Sequence, residues 1–290
     1  MTGTDCEGQF QGEILAEGPV TFGRLLSPDQ RLTGAAWVAG CEPWWRLERW
    51  PDHERSLTSV LRQVRRGRRK GVGIVLHACE ATAPIEIAGG PLAALLARWR
   101  EAKPLPPMAF AAASRWEQVA ARALIGLAWR DHELVGAALA LPRAGNHWSF
   151  VHLVRAPDAP QGTVEMLVLA CMRHFHDQGV RWATLGLMPL EGPVPLLLRL
   201  VRPCFRRWFD FEGLARFKLK FRPHLLVPLL VEHRGLSSPA SLYALLKAFA
   251  GANPVGFASA AFHRMASTRS LAFRGQPITK AGLPLEHSRP

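Results

Sequence analysis

Residues 148–187 read WSFVHLVRAPDAPQGTVEMLVLACMRHFHDQGVRWATLGL, and this stretch decides the fold. Residues 148–154 are rich in aromatic and β-branched side chains, which predicts a strand. A loop, Arg155-Ala-Pro-Asp-Ala-Pro-Gln-Gly162, follows, stiffened by two prolines and ending on a glycine that lets the backbone turn closely. Val164, Leu167, Val168 and Cys171 then recur at helical spacing, so the helix that opens at Gln161-Gly162-Thr163 runs to about Gln178 and stops at Gly179. Residues 182–187 give the next strand. A strand, loop, helix, strand unit belongs to a mixed α/β domain, and its loop-to-helix junction is the natural place for a site.

Working outward, residues 123–129 and 134–141 are apolar runs around Arg130-Asp-His-Glu133, a hairpin pattern. Residues 91–100 read as a helix with Leu92, Leu95, Leu96 and Trp99 on its apolar face. The proline-rich 103–107 is a connector, and 116–123 is a short helix. Residues 73–78 form a strand. Before it a helix opens with Asp52 as N-cap and stops at Gly71. Leu57, Val60, Leu61 and Val64 define its buried face, while Arg62, Arg65, Arg66, Arg68, Arg69 and Lys70 line the other side. Residues 22–26 and 35–39 are further strand candidates. On the C-terminal side, 193–209 is a basic amphipathic stretch. One more strand follows Pro228, then a helix over 241–250, and the tail from 274 has a disordered composition.

The 290 residues suffice for one large or two small domains, and the formal net charge of +13 points to an anionic partner: nucleic acid, an anionic membrane surface or a phosphorylated ligand. Cys6, Cys41, Cys79, Cys171 and Cys204 are scattered without a Cys-x-x-Cys pair, a pattern of buried free thiols in a reducing compartment. His174 and His176 lie two residues apart on a helix, which splays their rings and disfavours a metal site. The N-terminus lacks the basic start and apolar core of a signal peptide. No run approaches the ~20 apolar residues of a spanning helix, so the expected location is cytoplasmic or peripheral at the inner face of a membrane.

The candidate chemistry gathers around the central unit. The start of the 163–178 helix offers unpaired N–H groups and a positive dipole end to an anion or carbonyl, with Arg155, Gln161 and Gly162 beside it. Glu165, in the first turn, either complements the dipole or orients an amino group and acts as a base. Thr184 and Gly186 lie on a strand that can border the same crevice. Lys218, Lys220 and Arg222 alternate with Leu219 and Phe221, which in an extended chain sets three cations on one face, able to track phosphates. The Arg62–Lys70 helix fits RNA phosphates or lipid headgroups. No nucleophile triad, P-loop or dinucleotide fingerprint occurs, and the coenzyme-A pyrophosphate loop is replaced by Pro-Asp-Ala-Pro-Gln-Gly-Thr.

Three phrases, Arg155-Ala-Pro-Asp-Ala-Pro-Gln-Gly-Thr-Val-Glu-Met-Leu167, Thr184-Leu-Gly-Leu-Met-Pro-Leu190 and Gly213-Leu-Ala-Arg-Phe-Lys-Leu-Lys-Phe-Arg-Pro223, together with the basic helix, resemble the catalytic domain of lysylphosphatidylglycerol synthases. The resemblance runs from about Ala39 to Met265. It implies an N-acetyltransferase-like (GNAT-like) mixed sheet flanked by helices over 51–273, with residues 1–50 a truncated remnant of a first such unit. It also implies transfer of an amino acid from aminoacyl-tRNA to a lipid hydroxyl such as that of phosphatidylglycerol, without metal, ATP or other cofactor. Partners would be aminoacyl-tRNA and an anionic phospholipid or membrane surface. Glu165 would lie near the aminoacyl group and Thr184 would be a polar contact at the crevice; Arg155, Lys218, Lys220 and Arg222 would hold phosphate. Arg62, Arg65, Arg66, Arg69 and Lys70 would hold tRNA or headgroups. An acyl-CoA-dependent N-acyltransferase and a catalytically degenerate RNA- or membrane-binding protein are the alternatives.

Overall fold

The computed structural model describes residues 21–25, 36–78, 90–102, 123–143, 145–194 and 210–232. The expectations for 103–107, 116–122, 195–209, 241–250 and the tail from 274 lie outside the described residues.

The strands are β1 (Thr21–Leu25), β2 (Ala36–Arg46), β3 (Gly73–Ala78), β4 (Leu124–Arg130), β5 (Glu133–Arg143), β6 (His147–Arg155), β7 (Trp182–Thr184), β8 (Met188–Pro189) and β9 (Leu225–Glu232). The helices are α1 (Trp50–Ser56), α2 (Thr58–Arg69), α3 (Gly90–Glu101), α4 (Thr163–Asp177) and α5 (Phe211–Leu219). One nine-stranded sheet runs in the order β1-β9-β2-β7-β6-β5-β4-β3, with β8 pairing β2 beside β7. β6 and β7, joined through α4, are parallel, and the other pairs are antiparallel.

The central unit forms as its pattern predicts. Leu167, Val168 and Cys171 on α4 are buried, and Val164 is half-buried against the same core. Phe175 stacks on Trp148 and meets Phe150 edge-on, so α4 covers the face of β6 that carries these two rings. The β4–β5 hairpin turns on Asp131 and His132 at φ 49° and 67°, the left-handed pair that matches the twist of the flanking strands. α2 buries Val60 and Val64. α3 buries Leu95 and Leu96, with Leu92 and Trp99 packed beside them.

Five expectations change. The helix opened at Asp52 is two helices, broken at Leu57, whose side chain is buried. Asp52 lies in the first turn of α1 after Pro51 and is no cap; Arg49 holds the cap position. The strand at 35–39 extends to Arg46, because Trp44 and Trp45 are fully buried and pair with β7. The strand at 182–187 ends at Thr184, and Gly186 turns out of it at φ 76°.

The fifth change matters most for the site. Residues 218–222 are not extended. They are the end of α5 and the turn after it, so the expected row of Lys218, Lys220 and Arg222 on one strand face does not form. Asp210 caps α5 by accepting the Gly213 amide (2.7 Å). Leu214, Phe217 and Phe221 recur at three- and four-residue spacing, and this helical stripe prevails over the shorter alternation of charge. The turn is held because the Phe221 carbonyl accepts from Trp45 Nε1 (2.8 Å) and from His53 Nε2 (3.0 Å).

Candidate active site

The loop into α4 is a built structure. The Ala156 amide donates to the Val135 carbonyl (3.0 Å), and the Thr163 hydroxyl donates to the Pro160 carbonyl (2.7 Å). Arg98 of α3 clamps it from outside, pairing with Asp158 (2.5 Å) and with Glu133 of the β4–β5 hairpin. Gly162 holds the cap position of α4 at φ 98°, and a Cβ there would stand 2.1 Å from the Gln63 carbonyl oxygen of α2. The two helices therefore meet backbone to backbone at this glycine. Gly67, one turn further along α2, faces Met166 of α4 in the same contact.

One turn into α4, Glu165 is buried and ion-paired with Lys220. The Lys220 ammonium also lies 4.1 Å above the Phe217 ring centre and 5.5 Å from that of Phe221. A buried carboxylate needs such a partner, and the rings add favourable cation–π contact.

The second cluster lies where β6 and β7 part. Their parallel pairing covers His147–Ser149 against Trp182–Thr184 and then stops. Lys218 enters this wedge almost wholly buried, and its Nζ donates to the carbonyls of Gly186 (2.9 Å) and Leu187 (2.8 Å). Burial pulls its ammonium down to about 8, and Glu42 pulls the other way. The Gly186 amide donates to Thr184 Oγ1 (3.0 Å), so Thr184 shapes the turn that presents these carbonyls.

Sheet register places Trp44, Thr184 and Ser149 on one rung, all facing the same side. Glu42 and His147 join them on that face by alternation along β2 and β6, and the His147 ring meets Trp44 edge-on at 5.6 Å. All five side chains are buried. Burial pushes the Glu42 carboxyl up, while Arg143 and Lys218 hold it down. Burial lowers His147, and Arg181 and Arg143 lower it further.

The expected site residues thus fall into groups. Glu165 meets Lys220, and Gly186, whose amide donates to Thr184, meets Lys218; the two lysines, two residues apart on one corner, tie the groups together. Arg155 and Gln161 are exposed along the loop, and Arg222 is exposed at φ 50°; among the described residues none has a side-chain hydrogen bond or ion pair to these groups. Arg62, Arg65, Arg66, Arg69 and Lys70, with Arg68, are all exposed on α2, which carries no acidic residue.

Sequence reasoning missed Glu42, Trp44, His147 and Ser149, and it missed the Arg98 clamp. The one available signal was an acid inside the apolar run Val38–Trp45, since a charged residue in a central strand is costly unless it has a task.

A family model described as "Phosphatidylglycerol lysyltransferase, C-terminal" matches residues 53–230, which hold the end of α1, α2 to α5 and β3 to most of β9. The chain belongs to this family. The chain is similar to the lysylphosphatidylglycerol biosynthesis bifunctional protein LysX of Mycolicibacterium gilvum, 26% identical over 179 residues, and to that of Mycolicibacterium vanbaalenii, 24% identical over 181 residues. Each match covers 58% of this chain and 16% of the relative, so the chain spans a small part of those proteins' length. Among solved structures it resembles the C-terminal domain of a putative lysylphosphatidylglycerol synthetase from Agrobacterium fabrum, with TM-score 0.57, 18% identity and coverage of 75% and 67% of the two chains. It also resembles L-PGS from Bacillus licheniformis, with TM-score 0.58, 16% identity and coverage of 76% and 68%. These likenesses establish a shared mixed α/β fold.

Proposed function

We propose that the chain is an aminoacyltransferase that moves an amino acid from aminoacyl-tRNA to a hydroxyl of an anionic phospholipid, phosphatidylglycerol being the first candidate. The observation that carries the reading is the family match over residues 53–230, which takes in Glu165, Lys220, Thr184, Lys218 and the wedge between β6 and β7. The donor is an activated ester, so the chemistry needs no metal, ATP or other cofactor: a hydroxyl attacks the acyl carbonyl and nearby donors stabilise the oxyanion.

In this reading the domain is GNAT-like over 51–273, with the strands before residue 51 the remnant of a first unit. Glu165, held by Lys220, orients the aminoacyl group, and Thr184 and Gly186 shape the crevice beside it. Arg155 and Arg222 hold phosphate at its rim. The α2 face of Arg62, Arg65, Arg66, Arg69 and Lys70 holds tRNA or headgroups, with the protein working peripherally at the cytoplasmic face of the membrane. No helix among the described residues is long and apolar enough to cross a membrane.

The test incubates purified protein with a panel of radiolabelled aminoacyl-tRNAs and vesicles containing phosphatidylglycerol. Label extracted into the lipid phase for at least one amino acid is expected. No label in lipid for any amino acid would overturn the reading.

A further inference from the structure

Glu42 is the one acid in the wedge cluster, and its situation is unusual. It lies on the central strand β2 with 7% of its surface exposed, and its Oε2 is fully buried without a hydrogen-bond partner. A buried carboxyl oxygen left without a partner is costly, and more so when ionised, so a fold keeps it only where something offsets the cost. Lys218 and Arg143 act on it electrostatically, yet neither closes an ion pair with it.

Lys218 is the complementary group. An ammonium has three donors, and two are committed to the Gly186 and Leu187 carbonyls. The third is uncommitted among the described residues, and the Glu42 carboxylate acts electrostatically on the same ammonium. Gly186 and Leu187 are only half-buried, so the rim of the wedge reaches solvent. A Cβ at Gly186 would stand 3.9 Å from Lys218 Nζ, and glycine leaves that approach open.

The small group that suits this pair must donate to a carboxylate and accept from an ammonium. A hydroxyl does both. A second ammonium would meet Lys218 and Arg143 as like charges, and an isolated anion would meet Glu42. Resting on the transferase reading above, we propose that the acceptor hydroxyl binds between Glu42 and Lys218, and that Glu42 takes its proton. The hydroxyl oxygen bonds to the acyl carbon of the aminoacyl ester while its proton passes to Glu42 Oε2. The ester C–O bond then breaks, the departing ribose oxygen takes a proton from water at the rim of the wedge, and Glu42 releases its own proton to solvent, which restores the carboxylate. Lys218 orients the hydroxyl by donating to its oxygen.

The substitution E42Q keeps the shape and a hydrogen bond but removes the base. It is compared with the wild type in two arms: transfer of labelled amino acid to phosphatidylglycerol vesicles, and discharge of the same aminoacyl-tRNA to dilute hydroxylamine, corrected for the uncatalysed rate. Hydroxylamine is already nucleophilic at neutral pH and needs no base. Loss of a general base predicts a fall of about 100-fold or more in lipid transfer. Hydroxylamine discharge should stay within about threefold of wild type, a difference of roughly 0.6 kcal/mol in barrier. E42Q within threefold of wild type in lipid transfer, or an equal fall in both arms, would overturn the assignment. A wild type that puts no label into lipid at all would instead overturn the acceptor in the transferase reading, and this assignment with it.

Discussion

Replacing Gly162 with alanine should destabilise the protein far more than the same change at Gly67, although the two glycines sit in one helix–helix contact. At Gly162 the new Cβ would stand 2.1 Å from the carbonyl oxygen and 2.7 Å from the carbonyl carbon of Gln63, and the backbone is at φ 98°. Both neighbours are backbone atoms inside α2, so relief requires α2 and α4 to part. Left-handed strain in a residue with a Cβ costs about 1–2 kcal/mol. Forcing a methyl into a packed contact adds about 1–3 kcal/mol. The expected loss is therefore about 2–5 kcal/mol, a fall in Tm on the order of 10 °C for a chain of this size.

At Gly67 the new Cβ would stand 2.7 Å from Met166 Sδ, and the next atoms are 3.5 Å away. A thioether at the end of a flexible chain can swing aside. Alanine inside a helix also regains about 1 kcal/mol over glycine. The net change at Gly67 should stay within about 1 kcal/mol. Thermal and urea unfolding, followed by circular dichroism and tryptophan fluorescence, measure both variants. A G162A protein as stable as wild type, or a G67A protein that falls as far as G162A, would refute the close backbone contact between α2 and α4.

Three further outcomes are expected. The substitution K220M should cost about 3 kcal/mol by leaving Glu165 buried without its partner, E165Q should cost less, and the double variant should fall short of the sum by 1 kcal/mol or more; strict additivity in urea unfolding would show that the pair is not coupled. Lys218 titrates near 8 in the folded protein against about 10.4 for an exposed lysine, so its contribution to stability is present above the unfolded value and is lost as pH falls through 8. Relative to K218M, the wild type should gain about 3 kcal/mol between pH 7 and 11, and parallel pH profiles of unfolding would contradict the buried ammonium. Changing Arg62, Arg65, Arg66 and Arg69 together to glutamine should weaken binding to tRNA or to anionic vesicles and flatten its salt dependence by about 0.9 per lost phosphate contact on duplex RNA or DNA-like density; filter binding and vesicle flotation unchanged in both would remove α2 from the binding surface.

The elements with strong local periodicity were legible in the sequence. The hairpin of β4 and β5, the amphipathic stripe of α4 and the two-sided α2 each follow from side-chain spacing over ten or more residues, where local preference and burial agree. The loop at Arg155–Gly162 and the helix it opens were legible for the same reason. The 218–222 segment was not. Its charges alternate as in a strand while its apolar residues recur as in a helix, and the capping Asp210 and the docking of Phe221 on Trp45 and His53 decide between them. Of the candidate site, Glu165 could be placed on a helix start, but its partner Lys220 arrives from 55 residues away.

By itself, then, the sequence determined the local elements, the basic face of α2 and the family to which the chain belongs, because each is written in short-range spacing and residue type. Tertiary structure alone decided which charges are buried and with whom. Glu42, Lys218 and Thr184 come from three distant parts of the chain and meet only because β2 is inserted between β9 and β7, and because α5 turns its last residues into the gap where β6 and β7 diverge. Burial, and the altered proton affinity that follows from it, is a property of that meeting and has no signature in the residues taken one at a time.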